Sequence, residues 1–279
     1  MLVEMPGTKL YRRFDAFDRV LHIGLMTSFL GLAITGLPLF FSTSEWASRI
    51  AHALGGFHAA GILHRSAATL LMTVFAVHVG RILKRLFRDQ DLGMLWGPRS
   101  MVPQPRDVVD LFKHVQWFLG KGERPRFDKY TYWEKFDYWA VFWGMGIIGL
   151  SGLMLWFPTV FARLVPGWLF NVAMLVHGEE ALLAVVFIFT VHFFNTHMRP
   201  EKFPMDPVIF TGRLTERELR EERPDEYDRL KKAGTLADAA VPPQADWVLP
   251  LGRVVAVVAV TTGFVIVGLI VLTLLTHAS

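Results

Sequence analysis

Five stretches of this chain stay apolar for about 20 residues or more: Arg19–Phe41, Phe57–Leu83, Phe136–Phe157, Trp168–His197 and Val248–Leu275. Roughly that many apolar residues carry a helix across the hydrocarbon of a bilayer, so the pattern predicts five membrane-spanning helices. Between the second and third stretches, RDVVDLFKHVQWFL (Arg106–Leu119) sets Val108, Leu111, Phe112, Val115 and Leu119 at helical spacing, with Arg106, Asp107, Asp110, Lys113 and His114 mostly on the other side. This is the pattern of an amphipathic helix lying on a membrane surface. Residues 199–246 are polar and include TERELREERPDEYDRLKK, read as a solvated helical segment interrupted at Pro224, with a docking surface as the alternative. The expected division is a four-helix membrane domain over 1–198, a polar segment over 199–246 and a last helix, an anchor or a packing helix, over 247–279.

Hydrophobic residues make up 52% of the 279, which agrees with an all-α membrane protein. The formal charge of +4 carries no signal for nucleic acid, because the basic residues gather in alternate loops. The loop after the first span holds Arg49 alone and the loop after the third Arg163 alone, whereas Arg81–Lys129 holds eleven Lys and Arg. Since basic loops stay on the cytoplasmic side, the N-terminus and the second loop are expected inside, in a multi-pass protein of a bacterial inner membrane. Met1–Phe17 is charged and does not read as a signal peptide. The absence of cysteine excludes disulfides, thiolate-held iron–sulfur clusters and thioether-linked haem.

Histidines change the picture, because inside a lipid-spanning helix they are costly and usually functional. In the fourth span His177 and His192 are fifteen residues apart, which is about 60° around a helix and ~22 Å along it. In the second span His64 and His78 are fourteen apart and about 40° from coincident, while His22 lies about one turn into the first span. With the orientation above, His64 and His177 fall in the outer leaflet, and His22, His78 and His192 in the inner one. His197 lies about 200° round from His177 and is a poor ligand candidate.

Two histidine ligands keep a haem iron six-coordinate, so that an electron passes with little rearrangement. Histidines at two depths therefore predict two b-type haems, one per leaflet. His64 with His177 forms the outer pair, and the inner haem takes His192 with either His22 or His78. A binuclear oxygenase needs its ligands clustered at one depth, which the separation of ~21 Å along each helix argues against. The alternative from another class is a secondary transporter using the histidines as a proton relay, but the spans hold few mid-membrane charges and no paired interruptions.

An internal echo runs through the chain. ILHRSAATLLMTVFAVHVGR and LVHGEEALLAVVFIFTVHF each set an outer histidine, an apolar stretch and a Val-His pair, and GLSGLMLWF in the third span echoes ITGLPLFF in the first. The pattern suggests two related helical hairpins. Gly24, Gly31 and Gly36 on the first span let a helix or a flat macrocycle come close to the backbone.

Over Phe14–Leu230 the chain resembles the cytochrome b (gamma) subunits of respiratory formate dehydrogenases, which are related to hydrogenase and thiosulfate-reductase cytochromes b. The matching stretches are FDRVLH, GILHR, DVVDLFKHVQWFLGKG, KYTYWEKFDYW, SGLMLWFP, LVHG and TGRLTERELREERPDEYDRL, in that order. The resemblance implies a four-helix haem-binding bundle, to which this chain adds a fifth, C-terminal transmembrane helix. It implies His64 and His177 as ligands of the outer haem b, and His22 and His192 as ligands of the inner one. The two fourth-span histidines stand one residue closer together in that family, so a local bulge or a shifted haem is expected here. His78 is an addition on the same seam.

The function expected is a dihaem electron-transfer subunit of a quinone-linked oxidoreductase complex. It would pass electrons between a periplasmic partner, a multihaem cytochrome c or an iron–sulfur subunit, and menaquinone or ubiquinone in the membrane lipid. Quinone is expected at the inner interface near His192 and Thr131–Lys135, with Thr131 standing where the family uses an asparagine. Glu134 is the candidate for proton exchange, and an interfacial charge that anchors the third span is the alternative.

Overall fold

The computed structural model describes residues 9–200, 202–203 and 205–277, so the first eight residues of the charged N-terminal segment lie outside the described residues. Five helices are long and apolar enough to cross a membrane: Ala16–Phe40, Phe57–Arg88, Tyr132–Trp156, Trp168–Met198 and Val248–Thr276. The protein is an all-α membrane protein, as the hydropathy pattern predicts. The third span begins at Tyr132 rather than Phe136, because Thr131 and Glu134 form a reciprocal cap. Thr131 N donates to Glu134 Oε2 at 2.8 Å, and Glu134 N donates to Thr131 Oγ1 at 3.3 Å. A Thr-x-x-Glu box starts a helix where its backbone donors are satisfied, ahead of the point where the charged residues end.

Contacts divide the chain into two compact units, one of 1–19, 79–140 and 208–249, the other of 20–78, 141–207 and 250–279. The first carries a three-stranded antiparallel sheet of order β2-β1-β3, with β1 Leu10–Arg12, β2 Arg213–Thr215 and β3 Ala240–Val241. Tyr11 pairs with Leu214 on one side and Ala240 on the other. Tyr11, Leu214 and Leu219 are buried together, each side chain contributing about 1.5–3 kcal/mol of apolar burial. The polar segment is thus structured by pairing with the N-terminal strand, an arrangement that strands of three residues cannot announce.

Charge holds this unit together. Arg13 and Arg223, both almost fully buried, close on the carboxylate of Glu134 at 3.1 and 2.8 Å. Arg81 pairs with Asp15 and Asp18. Asp225 accepts from Arg106 and Arg126, and Arg229 forks onto Asp128 at 2.7 and 3.1 Å. The surface helix Pro105–Phe118 turns its polar side inward. Asp110 and His114 are buried, and Asp107 takes the buried ammonium of Lys135 at 2.8 Å. Its apolar side is left open, with Val108 56%, Phe112 64% and Phe118 72% exposed, as a helix at a lipid surface requires.

The second unit is a bundle whose core joins the first, fourth and fifth spans through Leu37, Phe41, Val185, Phe189, Phe193, Ala259, Ile266 and Ile270. Trp46, on a short helix Glu45–Ala53, donates its indole N–H to Thr273 of the fifth span at 2.7 Å. A Cβ at Gly263 would stand 2.5 Å from the Phe189 ring, so the fifth span packs backbone to ring against the fourth. It is a packing helix.

Two predictions follow from the sheet-bearing unit. Gly212 has φ +72°, its carbonyl accepts from Arg13 N and Phe14 N, and a Cβ there would lie 2.5 Å from the Phe14 carbonyl oxygen. Gly212→Ala should cost at least about 1–2 kcal/mol, read as a lower thermal midpoint and faster hydrogen exchange over 208–241. Burial raises the Asp225 pKa, but hydrogen bonds and charge from Arg106 and Arg126 outweigh it, and the carboxyl titrates below the usual Asp value. A depressed folded pKa means that its stabilisation is fully present above the unfolded value of about 3.9 and is lost as pH falls through the folded one. Hydrogen-exchange protection factors over 213–232, taken against the intrinsic rate at each pH, should therefore fall below about pH 4 in the wild type. In Asp225→Asn they should be lower at neutral pH and less sensitive to acid.

Candidate functional site

All five candidate histidines lie within the second unit, on its first, second and fourth spans. His64 and His177 face each other with ring centroids 6.3 Å apart and planes at 77°. Each ring is held the same way. Thr35 donates its hydroxyl to Gly31 O at 2.6 Å, which leaves a lone pair for Nδ1–H of His64 at 3.1 Å. Ser151 donates to Ile147 O at 2.7 Å, and Nδ1–H of His177 donates to Ile148 O at 3.0 Å, with Ser151 Oγ at 3.2 Å. These bonds assign the proton to Nδ1 in both rings and leave Nε2 as the lone-pair donor.

The residue after each hydroxyl is a glycine, and both glycines do the same work. A Cβ at Gly36 would stand 2.9 Å from Cε1 of His64, and a Cβ at Gly152 would stand 2.9 Å from Cε1 of His177. Thr35-Gly36 and Ser151-Gly152 are thus equivalent cradles, and they are the two segments whose sequences echo each other. The echo between hairpins is realised as geometry around one pair of imidazoles. With metal–imidazole bonds of about 2 Å, two rings sharing one iron have centroids about 6 Å apart, which is the separation seen. A ligating histidine typically gives its other N–H to a carbonyl or hydroxyl, as both do here.

At the other end of the fourth span, His22 lies within electrostatic reach of His192 and His197. Nδ1 of His22 and Nδ1 of His197 are buried and have no hydrogen-bond partner among the described residues. The fourth span is wound as π-type turns over Ile188–His192 and Phe194–Met198. Here is the bulge expected from the fifteen-residue spacing: a turn closed at i+5 takes up one extra residue. It also explains why helical-wheel reasoning discards His197. At 100° per residue His197 falls about 140° from His192, whereas a π turn brings i and i+5 close together. His78 instead stands edge-on to Phe142 of the third span, at 6.2 Å between centroids.

Thr131 and Glu134 belong to the first unit, where both are engaged. Thr131 is buried and caps the third span, and Glu134 binds Arg13, Arg223 and the Thr131 hydroxyl. Sequence reasoning did not use the Thr-x-x-Glu spacing, although the same box recurs at Thr215–Glu218. Among the described residues no group of three or more His, Asp or Glu converges as a metal ion held by protein alone would require.

A helical membrane protein that presents facing, hydroxyl-tethered imidazoles across glycine cradles belongs to the class of membrane cytochromes. The sequence model of the prokaryotic cytochrome b561 family matches residues 13–199, most of the chain and the first four spans. The chain belongs to that family: it is a membrane electron-transfer protein that carries haem b. The transporter alternative falls with this assignment. The chain is also similar to the nitrate-inducible formate dehydrogenase cytochrome b556(Fdn) subunit of Escherichia coli K12, 21% identical over 238 residues that cover 82% of this chain and 95% of that protein. The counterparts in E. coli O157:H7 and Shigella flexneri match to the same extent.

Proposed function

We propose that this chain is the dihaem membrane subunit of a quinone-linked respiratory oxidoreductase, with His64 and His177 as axial ligands of one haem b and His22 and His192 as ligands of the other. The observation that carries the reading is the pair of matching hydroxyl-glycine cradles that hold His64 and His177 with centroids 6.3 Å apart. For the second haem, the family resemblance and the buried Nδ1 of His22, which meets no partner among the described residues, favour His22 over His78, which rests on Phe142. Haem supplies one-electron chemistry; the protein fixes each ring's tautomer and orientation and keeps water from the iron ligands.

The basic second loop favours a cytoplasmic N-terminus in an inner membrane, and the same rule favours the outer leaflet for His64 and His177. By similarity to a formate dehydrogenase subunit, the donor is a periplasmic redox partner, an iron–sulfur subunit or a multihaem cytochrome c, and the acceptor is quinone at the cytoplasmic side. Two arginines and a cap bind Glu134, which favours its role as the anchor of the third span over proton exchange with quinone. Residues 1–198 form the haem domain in this reading, 199–246 its cytoplasmic polar segment and 247–279 a helix that completes the bundle.

The purified protein should contain two haems by pyridine haemochrome assay, and His64→Ala or His177→Ala should remove one and spare the other. An unchanged haem content in either variant would reject the pair. Thr35→Val keeps the side-chain volume but takes away the acceptor of His64 Nδ1–H, which lowers ligand basicity. It should raise the midpoint potential of one haem only and weaken haem retention by about 10–100-fold, measured by redox titration and haem transfer to apomyoglobin.

A further inference from the structure

Within the sheet-bearing unit, a cavity of about 250 Å³ is walled by Arg12, Arg13, Arg99, Lys129 and Arg229. Among the lining residues are two carboxylates, Glu226 and Asp238, and Leu214, Leu219 and Leu230 supply an apolar side. The ion pairs nearby leave donors of Arg13 and Lys129 unused. Arg229 is taken by Asp128, and Arg99 reaches Asp91 at 3.6 Å. Arg13 spends Nη2 on Glu134, but Nη1 stands 3.9 Å from Glu226 and has no hydrogen-bond partner among the described residues. Its side chain is 3% exposed, so this donor is buried at the cavity and unmet.

Lys129 completes the imbalance. The residue is half-buried, its ammonium lies 5.7 Å from the centroid of the Tyr130 ring, and among the described residues no carboxylate comes within salt-bridge distance. Burial first, and then the positive charges of Arg13 and Arg99, pull its pKa below the usual lysine value, and the carboxylates of Glu226 and Asp18 offset this only in part. Withdrawing cations from water without an anion is costly, and charge-assisted hydrogen bonds to one would recover that cost. Donors of Arg12 on the strand, Arg13 just after it and Lys129 on a loop line one cavity and suit an anion with oxygens in several directions. A tetrahedral phosphate has them, whereas a planar carboxylate matches a single guanidinium fork.

We propose that this cavity is a binding site for a phosphate-bearing anion, held by Lys129, Arg12 and Nη1 of Arg13, with the carbon portion of the ligand against the leucines. Such a group is offered both by a soluble phosphate ester and by the headgroup of an anionic phospholipid. The site is independent of the haem assignments.

The test uses the full-length, haem-loaded protein in neutral detergent at constant ionic strength. Thermal midpoints are measured against inorganic phosphate, glycerol 3-phosphate and chloride, and in nanodiscs of phosphatidylcholine with or without phosphatidylglycerol. A ligand that binds the folded state raises the midpoint saturably. We expect such a rise with a phosphate-bearing ligand but not with chloride, and an apparent affinity about tenfold weaker in Lys129→Gln. Arg12→Gln, on an exposed strand position, serves as the second variant, and unchanged haem absorbance confirms that each is folded. A rise with glycerol 3-phosphate assigns a soluble ester, and a rise with phosphatidylglycerol alone assigns a headgroup. No saturable rise in any arm, or the same rise in the wild type and both variants, overturns the site.

Discussion

The constraint on which the His64–His177 pair depends is that a ring nitrogen buried among apolar helices is costly unless it is bonded. Lipid offers no water to do it, so each of these two rings finds its partner on the neighbouring span. For His64 and His177 the solution is the same: Nδ1–H goes to oxygen atoms of the neighbouring span, and Nε2 keeps its lone pair. The first and third spans therefore contribute as much to the site as the helices that carry the histidines. Their small residues are where they are because a side chain at Gly36 or Gly152 would displace the ring.

The sheet-bearing unit solves a different problem with the same economy of partners. Glu134 opens the third span inside a polar core, and two buried guanidiniums from segments far apart in sequence close on it. A buried ion pair of this kind adds little net stability, yet removing one member leaves an uncompensated charge, which is costly. The N-terminal strand, the start of the third span and the polar segment are consequently fixed to one another by a contact that none of them makes alone. Near it, Nη1 of Arg13 is buried without a hydrogen-bond partner among the described residues, and this unmet donor is what the proposed anion in the Lys129 cavity would satisfy.

The fifth span shows how hydropathy underdescribes a helix. Its composition says only that it is apolar enough to cross a membrane, but Gly263 against Phe189 and Trp46 against Thr273 make it part of the bundle core. The family match ends at residue 199, so this wall is an addition to the four spans that define the family.

The sequence by itself determined the five spans, the amphipathic surface helix and the position of each candidate histidine along its span, because apolar run length and helical rise are local properties that survive any packing. It also determined the facing of His64 and His177, since two histidines at like depth on separate helices leave few other partners. Only the tertiary structure decided what rotates around those helices. The π turns at 188–198 move His197 onto the side of His192, and no residue pattern specifies a turn that bonds at i+5 instead of i+4. Likewise Leu10–Arg12 and Arg213–Thr215 are strands only because they meet, and Glu134 is an anchor only because Arg13 and Arg223 reach it. Those outcomes depend on contacts across about a hundred or more residues, whose geometry a one-dimensional pattern does not contain.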